Sequence, residues 1–203
     1  MEKDLVLSHL RQDPVLVPLI ESLPFPVFSK TGCVYRELVR AILAQQLSVK
    51  AAKTITERLY AQYGGEVPPP AVLAAADPVE LRRAGVSKQK ASYLKAVGAW
   101  FAERQMKADD WAALSDEEAI ELLMQIKGVG RWTAEMVLIF TLQRPDVFPA
   151  DDLGVQMAMQ RLYRLEAWEG RALRKHMQAI AEKWRPWRSV ATRYLWLWKD
   201  LNL

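Results

Sequence analysis

The sequence is nearly without cysteine and histidine: Cys33, His9 and His176 are all it has in 203 residues. One thiol closes no internal disulfide, builds no four-cysteine zinc site and cannot ligate an iron–sulfur cluster. Two histidines so far apart do not suggest a metal site. Long apolar runs are missing as well, and none approaches the roughly 20 residues a membrane span needs. The opening "MEKDLVLSHL" carries acids where a signal peptide would carry only bases. A cytoplasmic protein with no membrane partner is expected. Also absent are convincing strand pairs, solenoid repeats and low-complexity tracts.

What remains is an ordinary globular composition with two biases. The chain is 51% hydrophobic and 26% charged, and 203 residues suffice for one sizeable core or two small lobes sharing one. The formal net charge is +4 and the pI is near 9.2, values compatible with nucleic acid but shared by many unrelated proteins. Eight tryptophans are the second bias. Indoles fill cores and also make flat walls for stacking bases, and composition does not separate the two roles.

Nearly every periodic segment reads as helix. "YRELVRAILAQQLSVKAAKTITERLYAQYGG" holds apolar residues at helical spacing, with Ser48 as an N-cap dividing two helices and Gly64–Gly65 ending the second. After the loop "EVPPP", "AVLAAADPVELRRAG" reads as two short helices, the second capped by Asp77, started by Pro78 and terminated by Gly85. Ser87 opens "SKQKASYLKAVGAWFAERQ", and Ser115 with Glu118 has the spacing of a capping box. A helix runs from the turn "KGVGR" to about Gln143, followed by the loop "RPDVFPADD" and a helix from near Asp152 to about Arg164. Two further helices flank Pro186, with Trp184 and Trp187 assigned to packing. The fold class expected is all-α.

The turn "KGVG" poses the functional question. Two glycines strip side chains from a turn between helices, and the bared N–H groups with the next helix N-terminus suit an anion such as a phosphate. A tight helical hairpin with a glycine cap and no ligand is the ordinary alternative. "LLMQIKGVGRWTA" resembles the helix-hairpin-helix motif of the HhH-GPD superfamily of base-excision DNA glycosylases. "DVFPADDLGVQMAMQRLY" is similar to the segment carrying that family's catalytic aspartate. "AEKWRPWRSVATRYLW", "RAILAQQLSVKAAKTI" and "LAAADPVELRRAGVSKQKASYL" resemble its 3-methyladenine DNA glycosylase II branch. The resemblance covers roughly residues 35–198 in collinear order.

That resemblance implies a single two-lobed helical glycosylase domain over 1–203 with the active-site cleft between lobes and no N-terminal β domain. One lobe would span roughly 36–143 including the hairpin at 127–131, the other roughly 1–35 plus 144–203. It implies Asp152 as the catalytic carboxylate, with Asp151 as competitor; both are also natural helix caps. Trp132, Trp196 and Met136 match base-pocket positions, where an indole face would attract a cationic alkylated base; plain core packing is the alternative for the tryptophans. Lyase-active relatives carry a lysine at the position of Trp132, so a monofunctional hydrolase is implied. Gly128, Val129, Gly130, Arg131 and Thr133 are the implied DNA contacts; Lys127 stands where the family's turn usually begins with proline and could add a phosphate contact, and Lys127, Arg131, Lys88 and Lys90 could each equally be a solvated surface base. Gln46, or Gln45, would enter the space of the flipped base; both could instead sit on a solvated helix face. No cofactor is required, although the carbonyls of Met124, Ile126 and Gly128 match the positions that hold a monovalent cation in this family. The partner implied is double-stranded DNA with damaged bases, bound by a monomer. A glycosylase for another class of damaged base and a non-catalytic helix-hairpin-helix binding module stay open as alternatives.

Overall fold

The computed structural model describes residues 2–26 and 32–202, and among these there is no strand. Residues 27–31, expected at the end of one lobe segment, lie outside the described residues. The chain forms two compact units, Met1–Ser29 with Gln143–Leu203, and Lys30–Leu142.

The first unit contains α1 (Lys3–Leu10), α2 (Val17–Ser22), α11 (Leu153–Tyr163), α12 (Gly170–Ala181), a 3-10 turn (Glu182–Trp184) and α13 (Arg188–Asn202). Residues 3–22 carry no cap or long helical repeat that marks a helix, yet Val6, Leu7 and Leu10 place one buried stripe on α1, and Leu19 and Ile20 one on α2. These apolar stripes pack into a core with Val155, Met159, Met177, Trp184, Tyr194 and Leu195. A polar pin crosses it. Asp13 Oδ2 accepts hydrogen bonds from Trp184 Nε1 and Tyr163 Oη, each at 2.8 Å, and its Oδ1 accepts the Val15 N–H at 3.0 Å. Burial first, then the Asp13 carboxylate, holds the Tyr163 phenol protonated far above its ordinary range.

The second unit contains α3 (Val34–Ala44), α4 (Val49–Ala61), α5 (Pro70–Ala75), α6 (Pro78–Arg83), α7 (Lys88–Arg104), α8 (Ala108–Ala113), α9 (Asp116–Met124) and α10 (Arg131–Phe140). The expected caps are made: Ser48, Asp77, Ser87 and Ser115 each accept a first-turn N–H. α8 is not marked in the sequence, because it lacks a Ser, Thr, Asn or Asp before its first turn. The Lys107 N–H is met instead from inside, by Asp110 Oδ2 at 2.7 Å. α10 stops at Phe140, three residues short of the expected end. At Gly98 of α7 a β-carbon would lie 2.6 Å from the Ala74 nitrogen and 2.7 Å from the Pro70 oxygen, so only glycine lets α5 approach this closely. Two lysine ammoniums finish helices: Lys95 Nζ donates to Ala76 O at 2.6 Å and Lys90 Nζ to Leu43 O at 2.8 Å. Lys90 is thus engaged on the end of α3, and burial lowers the pKa of its ammonium.

Candidate active site and nucleic-acid interface

In the second unit, α9 and α10 are joined by a turn in which Val129 N–H returns to Ile126 O at 3.0 Å. Its two glycines are there for different reasons. Gly128 has φ +94°, and a β-carbon on it would stand 2.3 Å from the ring of Tyr93. Backbone and packing both demand glycine at that position. Gly130 is extended, at φ −93° and ψ 172°, and a β-carbon there would meet nothing within 4 Å. The fold has no steric need of Gly130. Its bareness leaves the uncapped N-terminus of α10 open beside the exposed Lys127.

The remaining hairpin residues sort by exposure. Val129 and Thr133 are buried, so neither side chain reaches a phosphate, and the Val129 N–H is already donated to Ile126 O. Arg131 is turned toward protein carboxylates: Nη1 and Nη2 donate to the two oxygens of Glu117 at 2.8 and 2.7 Å, and Nε to Glu135 Oε1 at 3.2 Å. Hydrogen bonds from Arg131 hold the Glu117 carboxyl below its ordinary value. Glu135 is itself buried. Neither acid was singled out in the sequence: Glu135, four residues from Arg131 on the same helix, reads as a surface pair, and Glu117 lies fourteen residues away on α9. The guanidinium serves first to tie α10 to α9.

Trp132 is 44% exposed in the first turn of α10, and Met136, one turn later, is half-buried. A tryptophan serving only as core filler would be buried further. At the end of α3 the two glutamines separate. Gln45 Nε2 donates to Gly128 O at 3.2 Å, fastening the α3–α4 turn to the hairpin. Gln46 has φ +56° and is exposed, a conformation that non-glycine residues adopt reluctantly. Beside it Leu47 and Val49 are exposed too, Val49 at 87%. The three carbonyls expected at a cation give a hard-oxygen donor set suited to a monovalent ion. Two already serve protein donors, Ile126 O the Val129 N–H and Gly128 O the Gln45 amide, and each retains a second lone pair.

In the first unit the loop before α11 is clamped by the start of α13. Arg188 Nε donates to Asp146 Oδ1 at 2.7 Å and Nη2 to Asp146 O at 2.7 Å, while Arg185 Nη1 donates to Asp146 Oδ2 at 2.6 Å. The buried Ser189 Oγ donates to Arg144 O at 2.7 Å and accepts the Val147 N–H at 2.9 Å, and the Ser189 N–H donates to Pro145 O at 3.0 Å. This network was not visible in the sequence, since its halves lie about forty residues apart.

The clamped loop delivers the aspartate pair in unequal states. Asp151 is exposed and pairs with Arg174 Nε at 3.2 Å. Asp152 is 9% exposed and is the N-cap of α11, its Oδ1 accepting the Val155 N–H at 2.8 Å. The same oxygen accepts Trp196 Nε1, also at 2.8 Å. Capping and a second, long-range donor therefore converge on one carboxylate oxygen. Of the base-pocket candidates, Trp196 belongs with Asp152 in this unit; Trp132 and Met136 belong to the hairpin unit.

A family model described as HhH-GPD superfamily base excision DNA repair protein matches residues 39–186. The chain belongs to that superfamily. It is 39% identical over 165 residues to DNA-3-methyladenine glycosylase 1 of Schizosaccharomyces pombe, covering 80% of this chain and 71% of that protein. With a putative DNA-3-methyladenine glycosylase of Bacillus subtilis it shares 32% identity over 80% of its own length, and spans 58% of that longer relative. Among solved structures, the Schizosaccharomyces pombe 3-methyladenine DNA glycosylase in complex with abasic DNA superposes with a TM-score of 0.83 at 33% identity, covering 97% of each chain. The HhH-GPD fold and the helix-hairpin-helix expected from "LLMQIKGVGRWTA" hold.

Proposed function

We propose that this chain is a monofunctional DNA glycosylase that removes alkylated bases of the 3-methyladenine and 7-methylguanine type from duplex DNA in base excision repair, working with its substrate in the cytoplasm. The observation that carries the reading is Asp152, a nearly buried carboxylate held by a backbone N–H and an indole N–H through one oxygen, in a chain whose relatives bear the name of that activity.

Heterolysis of the C1′–N bond leaves the electron pair on the departing base and positive charge on the deoxyribose. The Asp152 carboxylate stabilises that charge and orients the attacking water, whose proton passes to the carboxylate or to solvent. A ring-alkylated purine is already cationic and leaves as a neutral base, so no general acid is needed. The target base is extruded before reaction. Trp132 offers it an indole face with Met136 alongside, and the strained, exposed Gln46 enters the vacated stack while Gln45 holds the hairpin. Lys127 and the N–H groups of Gly128, Gly130 and Arg131 take the phosphate, and the Met124, Ile126 and Gly128 carbonyls would hold a monovalent cation that offsets phosphate charge. With Trp132 where a lyase would hold its lysine, no Schiff base forms.

Base release from methylated DNA tests the reading. Wild type is expected to release free base and leave an abasic site, with no borohydride-trapped adduct. Asp152→Asn is expected to bind DNA as wild type does and release at least about a hundredfold more slowly. Equal DNA binding by both proteins with no base released by either would leave a helix-hairpin-helix binding module instead.

A further inference from the structure

Gly154 lies two residues beyond Asp152, at the second position of α11, where its backbone is not in the left-handed region. Nothing in local conformation calls for glycine, and alanine is the better helix former. The reason is tertiary. A β-carbon on Gly154 would stand 3.2 Å from Asp152 Oδ1, 3.3 Å from Trp196 Cδ1 and 3.5 Å from Lys199 Cδ. Those first two atoms flank the Trp196–Asp152 hydrogen bond. The missing side chain is the space in which α13 brings its indole onto the carboxylate.

We propose that Gly154 and Trp196 are positioning residues for Asp152, a role that rests on Asp152 being the catalytic carboxylate. The Val155 N–H reaches Oδ1 from the aspartate's own helix and the Trp196 N–H reaches it from α13, each at 2.8 Å. Two donors from different elements fix the rotation of the carboxylate about its Cβ–Cγ bond, which a helix cap alone leaves soft. Trp196 then acts through Asp152 and on the sugar, and not as a wall against the base. An added methyl at residue 154 moves the carboxylate or the indole by a few tenths of an ångström, enough to misalign a group that must face a developing charge.

Three variants test this in single-turnover release of 3-methyladenine and 7-methylguanine from the same methylated duplex, with DNA affinity and Tm measured alongside. Gly154→Ala is expected to keep Tm at or above wild type and DNA affinity within about twofold, while both release rates fall about tenfold. Trp196→Phe keeps a ring and loses the N–H; both rates are expected to fall by a common factor, because the sugar is common to the two lesions. Wild-type rates in Gly154→Ala would overturn the proposal, as would a loss that simply tracks a fall in Tm. So would unequal factors for the two bases in Trp196→Phe, which would make the indole a base wall. Asp152→Asn separates the levels: if it releases base at the wild-type rate, the underlying catalytic reading fails, whereas if it alone is impaired, only the positioning roles fail.

Discussion

Gly128 and Gly130 sit two residues apart and answer to different constraints. Alanine at 128 must adopt φ +94° and push its methyl into the Tyr93 ring, so Gly128→Ala is expected to destabilise by about 3 kcal/mol or more. Alanine at 130 meets neither obstacle, and as an N-cap it costs no more than about 1 kcal/mol. Gly130→Ala is expected instead to weaken DNA binding, because its methyl occupies the open side of the turn. Thermal melts and a DNA titration on the two variants check the contrast; comparable melting losses would show that Gly130 is structural. Both glycines were legible as a motif in the sequence. That one faces Tyr93 and the other faces open space was not, because Tyr93 is brought there by α7.

At the scale of elements, the α9–α10 hairpin is fastened by the Arg131 fork on Glu117 and by Ser115 capping α9. The Glu117 carboxyl is held below its ordinary value near 4.5 by hydrogen bonds from Arg131, and Glu182 likewise by hydrogen bonds from Arg185. A carboxyl whose folded pKa is depressed stabilises the fold above its unfolded value and loses that contribution as pH falls through the folded one. Tm is therefore expected to hold from neutrality to about pH 5 and then to fall on further acidification. Glu117→Gln is expected to lower Tm slightly at pH 7 and to flatten the acid slope; an unchanged slope would mean that the fork contributes nothing. The pair is half-exposed, so solvent screening keeps its effect small. The helices themselves were largely readable from apolar spacing and caps. α1, α2 and α8 were not, since they are short and draw their stability from packing or an internal cap rather than from propensity.

At the scale of the molecule, the N-terminal helices join the C-terminal ones in a single core pinned by Asp13. Asp13→Ala leaves the fully buried Trp184 N–H and the Tyr163 hydroxyl without this acceptor. A loss of about 3 kcal/mol is expected, or about 8 °C in Tm for a chain of this size, with Asp13→Asn losing less; a melt unchanged in Asp13→Ala would show the pin to be ornamental. Nothing in "RQDPVL" announced this role, because its partners lie 150 and 171 residues away. By itself the sequence determined what depends on neighbours along the chain: helical periodicity, the caps at Ser48, Asp77, Ser87 and Ser115, the bareness of "GVG", and the family likeness that singled out Asp152. Only tertiary structure decided between residues that local pattern left equivalent. It set Asp151 in a surface ion pair and Asp152 on the Trp196 indole N–H, tied Gln45 to the hairpin and exposed Gln46, and engaged Arg131 with carboxylates. The physical reason is that a side chain's chemistry is completed by its contacts. For these residues the completing groups come from other helices, many positions away.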